Sequence, residues 1–357
     1  MAQPLLGVVA SAVVMAVALG YIWLFDFPWF TGSVSFFMLG LIPMQIVMVV
    51  LWGANPSFAS SLRQPLKGVV LTLVAVVAAL VIMPIALRLV GEGVQPPGPI
   101  PSHFVVIVVP TTFYLAIMFG GWPFTRAIKD PIVAGLVLLV AAYVITYVGF
   151  RLFFNYDFLQ GGPVYLQSAP RGLFNGVSAL VFYVTVLAVM FLVLCFDLWP
   201  LTRSAALMKQ PVLGLVWLVI AFAGAAVVMW ITVGLMGMDP MIVLTRVTAP
   251  IIFGAIIVLN MLQNSLFQRM AQPVKGVLNA VAAVSIGVAL ANLYGALAPR
   301  SPVAGALVSG APGYEYEIWL VNALLSVTFP FLVFYAACFG FWPLTRPTPS
   351  PGTPART

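Results

Sequence analysis

Ten times along this chain an uncharged, apolar stretch runs for about 17 residues or more, the length an α-helix needs to cross roughly 30 Å of hydrocarbon. The stretches are Leu5–Leu24, Ser33–Ala54, Gly68–Leu87, Phe104–Gly121, Ile132–Phe150, Leu173–Phe196, Val212–Met238, Val247–Leu266, Gly276–Ala298 and Ile318–Trp342. Each is apolar throughout and none alternates with period two, so a transmembrane β-barrel is excluded. Composition agrees. With 63% apolar and 6% charged residues over 357 positions, the chain has too little polar surface to coat a water-soluble globule. The fold class expected is an all-α polytopic membrane protein of about ten spans.

Charge in the connecting segments assigns sidedness, because Lys and Arg accumulate in short cytoplasmic loops. One set of segments carries Arg63, Lys67, Arg126, Lys129, Arg203, Lys209, Arg269, Lys275, Arg346 and Arg356 against Asp130 and Asp197. The alternate set carries Arg88, Arg151, Arg171, Arg246 and Arg300 against Asp26, Glu92, Asp157, Asp239, Glu315 and Glu317. The first set is expected to be cytoplasmic, which puts both termini inside and the protein in the plasma (inner) membrane. The net charge of +7 is dispersed over these loops, so nucleic acid is not an expected partner. Membrane lipids are, with other membrane subunits or a homo-oligomer as further partners. Leu5–Leu24 is too long for a signal-peptide core and reads as a retained helix.

Self-similarity organises the rest. Five odd-numbered spans open alike: Gln3-Pro4-Leu-Leu-Gly7, Gln64-Pro65-Leu-Lys-Gly68, Asp130-Pro131-Ile-Val-Ala-Gly135, Gln210-Pro211-Val-Leu-Gly214 and Gln272-Pro273-Val-Lys-Gly276. The intervals between those prolines are 61, 66, 80 and 62 residues. Three even-numbered spans close on Trp122-Pro-Phe-Thr-Arg126, Trp199-Pro-Leu-Thr-Arg203 and Trp342-Pro-Leu-Thr-Arg346. The reading is one transmembrane domain, residues 1–346, of five tandem two-helix hairpins (3–63, 64–129, 130–209, 210–271 and 272–346), followed by a Pro-rich tail, 347–357, expected to be disordered. A first-turn proline loses no intrahelical bond, so Gln/Asp-Pro marks a helix start. Trp122, Trp199 and Trp342 suit headgroup depth, the prolines after them are expected to end the helices, and Arg126, Arg203 and Arg346 complete a cytoplasmic interface motif.

Candidate hinges are Pro43, Pro110, Pro250 and Pro330, whose missing N–H groups kink helices. Their recurrence in even spans points those spans at the protein interior, since a freed carbonyl in lipid needs a neighbour. Tandem hairpins run in one sense, unlike inverted transporter repeats, and a ring or arc is the simplest packing.

Chemistry-bearing residues are sparse. A single histidine, His103, and two separated cysteines, Cys195 and Cys338, offer no metal or haem ligand set, and no catalytic motif is present, so neither a cofactor nor enzymatic activity is expected. Uncharged polar residues remain. Asn260, Gln263 and Asn264 share one helix face, as do Asn322 and Ser326, and these five are the candidate pathway residues. The functional expectation is a channel or transporter for a small uncharged or weakly polar solute. The alternative is a non-catalytic scaffold or anchor subunit of a larger membrane complex.

Overall fold

The computed structural model describes residues 1–299 and 307–345, so Arg300, Arg346 and the 347–357 tail lie outside the described residues. Ten membrane-length helices are present: α1 Leu5–Ile22, α2 Phe27–Leu51, α3 Leu66–Gly91, α4 Pro99–Met118, α5 Pro131–Phe153, α6 Gly176–Cys195, α7 Val212–Leu235, α8 Pro240–Met261, α9 Val274–Ala296 and α10 Glu315–Cys338. The chain is a multi-pass helical membrane protein. Both the Gln/Asp-Pro starts and the even-helix ends lie on one face, here called the basic face.

Burial separates the helices into two classes. The share of the most apolar window that is buried is 72, 72, 50, 72 and 61% in the even helices, against 39, 28, 33, 28 and 28% in the odd ones. The even helices touch in a closed cycle, α2–α4–α6–α8–α10 and back to α2. Each odd helix seats in an outer groove of that ring: α3 against α2 and α10, α5 against α4 and α2, α7 against α6 and α4, α9 against α8 and α6, and α1 against α10 and α8. Thus α1 occupies the place that a helix following α10 would take.

Small residues explain how the outer helices dock. Counting from the Gly of each Gln/Asp-Pro segment, the buried positions seven and eleven residues on are Val14 and Ala18, Ala75 and Ala79, Ala142 and Thr146, Ala221 and Ala225, and Ala283 and Gly287. Such stripes let helix backbones approach closely where no hydrophobic effect drives association. The opposite faces of the same helices, Val13 and Val17, Val77 and Val81 or Val277 and Val281, are exposed and belong to lipid.

Each opening glutamine clips its helix to the ring. The amide of Gln3 donates to the Met261 carbonyl at 3.0 Å, that of Gln64 to Cys338 at 2.6 Å and that of Gln210 to Met118 at 2.8 Å. All three acceptors are last residues of even helices, where carbonyls lack intrahelical partners. The same side chains accept from the N–H of Gly7, Gly68 and Gly214 four residues on. Gln272 accepts from Gly276 but donates to Asp197 instead, at 2.9 Å. In α5, Asp130 is spent on capping its own helix, and the Trp52 indole donates to the Pro131 carbonyl at 3.0 Å. The glycines are required by the residue that follows each even helix: an added Cβ would meet Leu262 at Gly7, Phe339 at Gly68, Trp52 at Gly135, Phe119 at Gly214 and Phe196 at Gly276. Hydrogen bonds of this kind contribute about 0.6 kcal/mol each in lipid.

The ends of the even helices differ from the expectation. Each stops before its Trp-Pro or equivalent, on two successive residues in the left-handed region: Gly53-Ala54, Gly120-Gly121, Asp197-Leu198, Gln263-Asn264 and Gly340-Phe341. In four of the five the second residue's N–H returns to the carbonyl six residues back, as from Gly121 to Leu115 at 2.9 Å, which satisfies orphan carbonyls in the manner of a Schellman turn. The helix is therefore already ended when the chain reaches Trp122, Trp199 or Trp342. Prolines follow the stop and do not cause it.

Of the candidate hinges, Pro43, Pro110 and Pro330 each precede by four residues a widened π-helical turn that runs to the helix end, Val47–Leu51, Tyr114–Met118 and Phe334–Cys338. Pro250 sits elsewhere. The corresponding turn in α8, Ile257–Met261, lies seven residues beyond it, so Pro250 is nearly one helical turn out of register with the other three.

Candidate functional site

Helices α2, α4, α8 and α10 start earlier than their apolar runs, and in α2 and α8 a polar cap sets the first turn. Asp26 accepts from the Trp29 N–H at 2.9 Å and Asp239 from that of Met241 at 2.8 Å, each before an early proline. The Tyr314 hydroxyl then donates to Asp239 at 2.8 Å, tying the start of α10 to that of α8. That bond, burial and the acidic charges beside it push the Tyr314 phenol up to about 12, burial being the largest cause. Toward this end of the ring the even helices surround an axial vestibule.

The vestibule has a volume of about 340 Å³ and is lined by all five even helices together with the Pro96–Gly98 segment. No odd helix contributes to it, and none of its lining residues carries a fixed charge. Its polar groups come from α2 (Thr31, Ser35), α4 (Ser102, His103) and α10 (Asn322, Ser326). The hydroxyl protons are committed internally: Thr31 donates to the Phe27 carbonyl at 2.8 Å, Ser35 to Phe30 at 2.6 Å, Ser102 to Gly98 at 2.8 Å and Ser326 to the Asn322 side-chain oxygen at 2.8 Å. What they present is acceptor lone pairs. The Asn322 amide N–H groups have no partner among the described residues.

His103 stands at the rim with its Nδ1 3.0 Å from the hydroxyl of fully buried Tyr156. Tyr156 is held by the segment after α5, where Phe154–Asn155 pairs in parallel with Phe174–Asn175 and the Tyr156 N–H donates to the Pro170 carbonyl at 3.1 Å. Burial pushes the Tyr156 phenol well above its ordinary range, so it remains a protonated donor.

Toward the basic face the vestibule narrows at Leu39, Val106, Val184 and Leu325, which also line a small apolar void of about 40 Å³ on the axis. Phe113 and Phe329, with ring centroids 6.2 Å apart, lie against the far side of that void, and Phe191 packs on Phe113 at 5.2 Å. A space of that size could hold about one water, but an apolar lining leaves it dry. Hydrocarbon side chains close the vestibule there. Two larger apolar grooves, of about 630 Å³ between α5 and α7 and about 540 Å³ between α1 and α3, lie outside the ring and face the bilayer.

The candidate pathway residues divide between the two ends. Asn322 and Ser326 line the vestibule. Asn260, Gln263 and Asn264 lie at the basic end of α8, where Gln263 and Asn264 form its left-handed cap. Asn264 donates to Asp197 at 3.2 Å and accepts from the amide of buried Asn279 at 2.7 Å, and Asp197 also holds Gln272 and, at 2.7 Å, Lys275. Partial burial raises the Asp197 carboxyl, but the bonds from Lys275 and Gln272, the Lys275 charge and the Asn264 bond outweigh it and leave the group below its ordinary 3.8. A depressed carboxyl contributes stability that is complete above the ordinary value and lost as pH falls through the lowered one. The difference in thermal midpoint between wild type and Asp197→Asn should thus be largest near neutrality and shrink below pH 3.8. A pH-independent difference would refute the ion-pair account. At the same face Arg203 stacks over the Trp199 ring at 5.4 Å, while Trp122 with Arg126 and Trp342 sit at the matching ends of α4 and α10.

Sequence reasoning passed over Thr31, Ser35, Ser102 and the His103–Tyr156 pair. A signal existed. Sixteen residues before the last residue of each even helix stand Ser35, Ser102, Ala179, Thr245 and Asn322, four of the five polar. Among the described residues no group of three or more His, Cys, Asp or Glu side chains is placed to hold a metal ion. Compared with protein-family models, characterised proteins and solved structures, the chain matches none, so its own geometry carries the functional argument.

Proposed function

We propose that this protein is a channel or transporter for a small, uncharged solute, which enters the axial vestibule and crosses the ring of even helices when the apolar constriction below it opens. In this reading the five hairpins are repeats of one unit, the basic face is cytoplasmic with both termini, and the vestibule opens to the other side. The role is permeation rather than catalysis, in the plasma (inner) membrane, with lipid filling the outer grooves. One observation carries it: a cavity on the axis of a closed helical ring, furnished with hydroxyls and an amide, without a fixed charge. Ions need compensating charge or a coordinating cage to leave water, whereas a neutral solute needs hydrogen-bonding groups of the kind found here.

The test is stopped-flow uptake of glycerol into proteoliposomes. Wild type should exceed protein-free liposomes, and Asn322→Leu should reduce the protein-dependent rate by about tenfold, the equivalent of one hydrogen bond of about 1.4 kcal/mol. Asn260→Leu, away from the vestibule, should transport like wild type. No protein-dependent uptake of any neutral solute would favour the scaffold role and overturn the proposal.

A further inference from the structure

We infer that His103 is the specificity-determining donor of the vestibule, held by Tyr156 as the neutral Nε2–H tautomer, and that the ligand bound there is a small polyol or amide. The inference rests on the permeation reading for its place in function, and on the rim geometry for its chemistry.

Neutral histidine has one donor and one acceptor nitrogen, and the partner of one fixes the role of the other. Nδ1 faces a tyrosine hydroxyl that has no other partner among the described residues. A phenol donates readily and lies too deeply buried to ionise, so Nδ1 is the acceptor and the hydrogen is carried on Nε2. That nitrogen makes no hydrogen bond to the described residues and is not among the buried polar atoms left unpaired. As His103 lines the vestibule, its Nε2–H is directed to the space a solute would occupy. The donors offered are therefore His103 and the Asn322 amide; the acceptors are the oxygens of Thr31, Ser35, Ser102 and Ser326, whose protons are already used. A ligand matching both sets must itself donate and accept at several positions while uncharged, which describes vicinal hydroxyls or a carboxamide. A carboxylate of similar size would meet acceptor oxygens with no cation among the lining residues, and a buried site built for hydrogen bonding also rejects an analogue that cannot pair its groups.

This chain has one histidine, so 15N-histidine labelling reports this ring alone. In detergent-solubilised full-length protein, the ring should show the Nε2–H tautomer, and glycerol or urea should shift Nε2 saturably while lactate does not. Tyr156→Phe should mix the tautomers and weaken glycerol binding several-fold. His103→Phe should weaken it about tenfold, and His103→Asn, which restores a donor, should recover most of the loss. A wild-type Nδ1–H tautomer, or an Nε2 signal indifferent to glycerol and urea, would overturn the inference. The two proposals fail separately. Glycerol flux with a silent histidine signal refutes this one alone, and a saturable Nε2 shift without flux supports it while refuting permeation.

Discussion

Replacing Gly287 by valine is expected to eliminate the folded protein, whereas replacing Gly20 by alanine should leave it intact or slightly more stable. Gly287 on α9 and Gly254 on α8 face each other where the two helix backbones come into direct contact. A Cβ built on Gly287 falls on the Pro250 carbonyl, and one built on Gly254 falls on that of Ala283. The obstacles are backbone atoms, which cannot rotate away as a side chain would. Overpacking usually costs 1–3 kcal/mol, occasionally more, and here the helices would have to separate along the stripe of Asn279, Ala283, Gly287 and Ala291, so about 3 kcal/mol or more is expected. At Gly20 nothing lies within 4 Å of the added methyl, and alanine gains the roughly 1 kcal/mol by which glycine disfavours a helix. Size-exclusion profiles and thermal midpoints in detergent would read both, and a monodisperse, wild-type-like Gly287→Val would refute the close crossing.

The second large effect concerns the constriction. Leu325→Asn is expected to raise glycerol uptake by more than tenfold, and Val184→Thr, nearly unchanged in volume, should raise it in the same direction by less. An apolar neck blocks by excluding water, and one polar group is enough to begin wetting it. Leu325 and Val184 stand where the vestibule meets the dry void, so a polar atom at either extends the hydrogen-bonding surface inward. Both variants at the wild-type rate would show that the axial neck does not limit passage.

Much of this architecture is legible in the sequence, and what is hidden has physical causes. Each of the ten apolar runs corresponds to a membrane-length helix, because length and hydropathy are local properties. The Gln/Asp-Pro segments do start the odd helices, although in four of them the proline is the cap residue itself and only Pro131 begins the helix proper. Boundaries of the even helices are misread in both directions. Counting apolar residues skips the first turns of α2 and α8, where Asp26 and Asp239 are the very groups that start the helix. It runs past the ends of all five, by one residue at α6 and by three to five at the others, since the left-handed residues that stop α2, α4, α8 and α10, Gly53-Ala54, Gly120-Gly121, Gln263-Asn264 and Gly340-Phe341, carry no charge to interrupt the run. Asn264 looks like a pathway residue because its helical spacing matches Asn260, yet the helix has stopped before reaching it. His103 is harder still, for its significance lies in Tyr156, more than fifty residues away and positioned by a short strand pair that no periodicity reveals.

On the permeation reading, water reaches the axial vestibule inside the ring of even helices from the side opposite the basic face. Single cysteines placed along α10 from Ile318 to Phe334, in a background lacking Cys195 and Cys338, would test it with a membrane-impermeant thiol reagent applied to right-side-out and inverted vesicles. Labelling is expected at Asn322 and Ser326 in right-side-out vesicles, none at Phe329 or beyond, and none at any of these positions from the inverted side. Protection of Asn322 and Ser326 from both sides, or labelling from the inverted side alone, would contradict it.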